Sequence, residues 1–128
     1  MNHLKMITND CVVIRVETPE GTLYVNIIED EAGQPFEVKI EIGKSGSTIR
    51  AWTEVTSRLI SELLQAGKDV YDIIPIISNN TSDRIKRTKN NVLIRSGSDG
   101  VAYALYRYLD DKYPNIWNRR HSRLRRYE

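Results

Sequence analysis

The stretch Pro35-Phe36-Glu37-Val38-Lys39-Ile40-Glu41-Ile42-Gly43-Lys44-Ser45-Gly46-Ser47 changes its hydrophobic period partway, and that change decides the kind of fold. Up to Ile42 the apolar residues Phe36, Val38, Ile40 and Ile42 alternate with Glu37, Lys39 and Glu41, the two-residue period of a strand with one face buried and one wet. Beyond Ser47 the period becomes helical. Ile49, Trp52, Val55, Thr56, Leu59, Ile60 and Leu63 fall on one stripe, which predicts a helix over 47–66. Ser47 is the expected N-cap and Gly67 the expected stop. Arg50, Glu54, Ser57, Arg58, Ser61 and Glu62 take the polar side, where Arg58 has an acid four residues to either side and is expected to pair along the helix.

Upstream, Val12–Val16 and Thr22–Ile28 read as two further strands, joined by the turn signal Thr18-Pro19-Glu20-Gly21. Glu29–Gln34 reads as a polar, solvated hairpin tip. Downstream, Val70–Ile77 predicts a short helix or turn interrupted by Pro75. Ser78–Asn90 is polar and basic, an ordered loop or a mobile flap, and Asn91–Arg95 a short strand. Ser96-Gly97-Ser98-Asp99 caps a last helix with the stripe Val101, Leu105, Tyr108 and Leu109. Tyr103, Tyr106 and Arg107 fall outside that stripe, where exposure suits a subunit interface or an adenine-stacking surface. The fold class is therefore α+β, an antiparallel sheet packed against two or three helices in a single domain. The domain is expected over 1–112, with a basic tail over 113–128.

A chain of 128 residues is one domain. Its hydrophobic share of 40% against 28% charged excludes a wholly disordered chain. No apolar run reaches the roughly 18 residues of a membrane span and no leader opens the chain, so a cytoplasmic location is expected. Cys11, the only cysteine, can form no internal disulfide and is expected to be a small buried hydrophobe. The net charge of +2 is unevenly spread: from Tyr113 onward five arginines face Glu128 alone, so the tail carries +4 and the rest −2. With Trp117 and Tyr127 among those arginines, the tail suits nucleic acid, a solubilising end or an acidic neighbouring subunit.

Two strand-to-helix turns carry the chemistry. Gly43-Lys44-Ser45-Gly46-Ser47 offers free backbone N–H groups at a helix start, close approach at two glycines, one cation and two hydroxyls, a suitable cradle for phosphate. Arg95-Ser96-Gly97-Ser98-Asp99 repeats the arrangement. Asn91 suits either a turn or a contact to base or ribose. Catalytic signals are lacking: His3 and His121 lie in the ends, no Cys–His or Ser–His pairing arises, and no zinc spacing is present. The expectation is a phosphate-ligand binder that is not an enzyme and needs no metal or cofactor.

Gly21-Thr22-Leu23-Tyr24-Val25, Pro35-Phe36-Glu37-Val38, Ile42-Gly43-Lys44-Ser45-Gly46-Ser47, Ser57-Arg58-Leu59-Ile60-Ser61 and Ser96-Gly97-Ser98-Asp99-Gly100-Val101-Ala102 follow one another in order. Together, over roughly residues 20–110, they resemble the TSCPD domain, a module near the C-terminus of adenosylcobalamin-dependent ribonucleotide reductases. The reductase barrel, its active-site cysteines and the cysteine pairs that follow the domain are not in this sequence. Stand-alone domains of this size resemble the phage Thoeris anti-defence sponges, which sequester cyclic ADP-ribose signals, in some members also cyclic oligonucleotides, between subunits of an oligomer. That resemblance implies a homo-oligomer in the host cytoplasm holding a nucleotide-derived small molecule. It makes the basic loop 84–89, Asn91, Arg95, Ser96 and Arg107 candidates for the pocket, with Gly43–Ser47 as a second site. The alternatives are an accessory nucleotide- or protein-binding module of ribonucleotide reduction, and nucleic-acid binding through the arginine tail.

Overall fold

The computed structural model describes residues 11–43, 47–81, 86–88, 91–114 and 127. Strands β1 (Cys11–Thr18), β2 (Gly21–Glu29) and β3 (Pro35–Ile42) form an antiparallel meander in the order β1-β2-β3. Helices α1 (Ser47–Gln65) and α2 (Val70–Ile77) follow, then a small hairpin of β4 (Lys86–Arg87) and β5 (Leu93–Ile94), then α3 (Gly97–Lys112). The α+β fold read from the sequence is the one observed. Among the described residues no helix is long and apolar enough to cross a membrane.

Leu23, Val25 and Ile27 of β2 stand opposite Val16, Ile14 and Val12 on one side and Ile42, Ile40 and Val38 on the other, so the inward face of the sheet is continuous. Its centre is fully buried. Cys11 lies on the opposite face and is exposed, which corrects the expectation of a buried thiol. The two-residue period explains it, because Val12 and Ile14 already hold the inward positions beside it. The first hairpin turns over Pro19-Glu20, and Gly21 takes a φ of +127° that a side chain would disfavour.

Helix α3 crosses the inner face over β1 and β2. Gly100 permits the contact: a Cβ there would lie 2.6 Å from Thr18 Cγ2. Val101 through Tyr106 are all buried, so Tyr103 and Tyr106 are core residues, and their expected exposure is corrected. The helix has the sheet on one side and α2 on the other, with no wet face over this stretch. Tyr127 packs its ring 5.6 Å from Tyr103 and 5.5 Å from Tyr106 and is itself 2% exposed. That residue of the tail belongs to the core and is not free to stack on a base.

Helix α1 ends in a Schellman arrangement, Lys68 N–H to Leu63 O and Gly67 N–H to Leu64 O, with Gly67 at φ +94°. Helix α2 runs through Pro75 without a break, because in so short a helix proline removes a single ladder bond and Ser78 N–H still reaches Ile74 O.

The face that α1 turns to the sheet differs from the expected stripe. Ser57 Oγ accepts from Ile40 N–H at 2.9 Å, Ser61 Oγ accepts from Val38 N–H at 3.0 Å, and Gln65 donates to Phe36 O at 2.9 Å. Ile60 and Leu64 are buried beside them, whereas Val55 and Leu59 are exposed. Residues four apart along α1 thus match alternate residues of β3 and satisfy the backbone of an edge strand. Replacing Ser61 with alanine strands the Val38 amide, so Ser61→Ala is expected to cost about 1–2 kcal/mol in urea unfolding. Ser57→Ala is expected to cost a similar amount.

Candidate functional site

The two expected phosphate cradles have different fates. Of the Gly43–Ser47 turn, Gly43 continues the sheet, donating to Thr22 O at 2.8 Å, while Lys44, Ser45, Gly46 and the Ser47 side chain lie outside the described residues. The Arg95–Asp99 turn is filled by the protein's own carboxylates. Gly97 N–H donates to Glu20 Oε1 at 2.7 Å, Asp99 N–H to the cap hydroxyl of Ser96, and Arg95 N–H to Asp99 Oδ2 at 3.0 Å. Ser96 Oγ also donates to Asn80 O. These groups hold the helix start. Asn91 is exposed at φ +65° and accepts from the Arg87 guanidinium, which makes it a turn residue.

A concavity of about 250 Å³ lies between Lys39–Ile42 of β3 and Arg50, Thr53 and Glu54 of α1, and two larger ones lie on either side of Tyr108. One, of about 450 Å³, is lined by Gln34, Pro35 and Leu64, by Gly67–Val70, and by Tyr108, Leu109 and Tyr113. The other, of about 630 Å³, lies between Val12–Ile14 of β1 and the end of α3, with Glu29, Arg107, Asp110, Asp111 and Lys112 around it. Arg107 is the one expected site residue on either wall. It is exposed, with its guanidinium 5.8 Å from the centre of the Tyr103 ring.

Between the clefts stands a group the sequence reading passed over. Tyr108 donates its hydroxyl proton to Glu29 Oε2, and Lys112 donates to the same oxygen at 2.5 Å, to Tyr108 Oη at 3.2 Å and to Gly33 O. Glu29 is therefore not a solvated tip but the paired end of β2, which corrects the reading of that turn. The sequence carried only half the signal, Tyr108 and Lys112 four apart on one helix; that Glu29 meets them follows from where α3 crosses the sheet. Burial, helped by the Glu29 hydrogen bond and charge, pushes the Tyr108 hydroxyl far above its ordinary value near 10. The phenol stays protonated. No described cluster of His, Cys, Asp and Glu could hold a metal ion.

A model of the TSCPD domain matches residues 4–109. The chain belongs to the TSCPD family. The match takes in the three-stranded sheet, all of α1 and α2, and α3 as far as Leu109, so most of the lining of both clefts falls within it, while Asp110–Lys112 and Tyr113 lie beyond it. No match was found among curated proteins or among solved structures.

The raised Tyr108 has a measurable consequence. The unfolded chain loses this proton near pH 10 while the folded chain keeps it, so the contribution is whole below pH 10 and falls as pH climbs above it. Stability is thus expected to drop above pH 10 in the native protein, and Tyr108→Phe to flatten that drop. The same variant is expected to be about 1 kcal/mol less stable at pH 7, because Glu29 loses a donor. Chemical denaturation at both pH values checks each part.

Proposed function

We propose that this TSCPD domain binds and sequesters, without converting it, a nucleotide-derived anion of the cyclic ADP-ribose or cyclic oligonucleotide class. It would act as a homo-oligomer and a phage anti-defence sponge in the host cytoplasm. The observation that carries the reading is the 450 Å³ cleft beside Tyr108, within the size range of small-molecule sites. Pro35, Leu64, Val70 and Leu109 give it apolar walls, and Tyr113, 44% exposed, offers a ring on which a base can stack. The exposed Lys68 supplies a cation for a phosphate at the same rim. The chemistry of the groups favours holding over turnover: Tyr108 is kept protonated, and the Glu29 carboxylate is engaged by Tyr108 and Lys112.

The test is to incubate the purified protein with cyclic ADP-ribose isomers and cyclic oligonucleotides, remove unbound material, heat the protein and assay what it releases. Depletion followed by recovery of an intact compound is expected. A degraded product would establish an enzyme, and no depletion would overturn the reading. Tyr113→Ala and Lys68→Ala are each expected to weaken binding about tenfold at unchanged melting temperature, since base stacking is worth roughly 1–3 kcal/mol. Arg107→Ala assigns the cleft: unchanged affinity leaves the ligand on the Tyr113 side.

A further inference from the structure

Helix α1 turns its hydroxyl-bearing face to β3 and leaves the opposite one bare. Ala51, Val55 and Leu59 form a ridge at four-residue spacing along that outer surface, all exposed, with Val55 at 53% and Leu59 at 59%. One exposed leucine needs no explanation, whereas an apolar row along a helix amounts to a patch. A second exposed row runs beside it, Glu54, Arg58 and Glu62, again four apart. At that spacing opposite charges normally pair along the helix. Here Arg15 pairs with Glu17 and Lys112 with Glu29, whereas among the described residues no ion pair joins Arg58 to Glu54 or Glu62. These three charges are therefore free to meet another surface.

An acid–base–acid row beside an apolar ridge is complementary to itself. Two antiparallel copies offset by half a repeat set Arg58 of each against a glutamate of the other, while Val55 and Leu59 interdigitate. Ridges at four-residue spacing pack into one another in the commonest class of helix crossing, and a two-fold contact of this kind closes with two copies. We propose that the outer face of α1 is the interface of a homodimer, its register fixed by reciprocal Arg58–glutamate pairs. The proposal rests on the homo-oligomer part of the functional reading and on no other part. None of these residues lines the Tyr108 clefts.

Analytical ultracentrifugation of the purified chain over a range of concentrations tests it. A dimer is expected, and Leu59→Glu is expected to give a folded monomer with native circular dichroism, since Leu59 supports nothing inside the protomer. Arg58→Glu is expected to weaken the dimer at least tenfold. Mixed with a Glu54→Arg/Glu62→Arg chain, it is expected to form a heterodimer. A wild-type monomer at every concentration overturns both this proposal and the homo-oligomer reading. A dimer that Leu59→Glu leaves intact, or a mixture that yields no heterodimer, overturns the α1 interface alone.

Discussion

The carboxylate of Asp99 is where three otherwise separate segments meet. It is completely buried, and it accepts from Asn79 N–H at 2.9 Å, Arg95 N–H at 3.0 Å and the Tyr127 hydroxyl at 2.5 Å. An isolated buried carboxylate would be costly. Here three donors and the positive end of the α3 dipole support it, and Glu20 adds a second carboxylate at the same helix start. The loop after α2, the end of β5 and the C-terminal tyrosine are thereby fixed relative to α3. Because α3 spans the sheet and walls both clefts, the shape of the candidate site follows from how this one helix start is held.

Much of the fold could be read from period alone. The alternation Phe36–Ile42 is the signature of a half-buried strand, and the burial of Val38 and Ile40 against exposed Glu37, Lys39 and Glu41 follows it. The helix over 47–66 is observed at 47–65, stopped at Gly67 for the reason its φ makes plain. The face of that helix was misread in part: Ile60 is buried and Trp52 and Leu63 pack against the core as expected, whereas Val55 and Leu59 are exposed. A hydrophobic stripe identifies the buried side only when the neighbour is apolar, and the neighbour of α1 is the backbone edge of β3, which wants hydroxyls. Ser57 and Ser61 therefore point inward beside Ile60 and Leu64, and Leu59 points outward. Tyr103 and Tyr106 were misplaced for a related reason: a helix enclosed on several sides has no wet face for the stripe to leave over.

The candidate site was less legible. Glycine, serine and lysine at a strand-to-helix turn describe a phosphate cradle and a plain helix start equally well. At Gly97 the chain supplies its own anion, from a glutamate 77 positions away, and no local pattern announces that. Arg107 was picked from its place outside the apolar stripe and does reach a cleft wall. Tyr108 was assigned to the core by its stripe, and it is buried, yet it borders both clefts. Its role comes from Glu29, 79 positions earlier, whose charge reads as solvent-facing until the hairpin is folded under α3.

The bonds from Ser57, Ser61 and Gln65 to β3 also bear on which changes of length the chain tolerates. Each residue of an α-helix advances about 100° around the axis. Deleting one residue between Ser57 and Ser61 therefore rotates everything beyond it by that angle, carrying Ser61 and Gln65 away from the strand in a single step. A deletion in the hairpin tip at Glu31–Gly33 meets no such ladder. Substitutions in α1 act one contact at a time, whereas insertions and deletions there act on the whole seam, so the helix behaves as a ruler whose divisions are set by the pleat of the neighbouring strand.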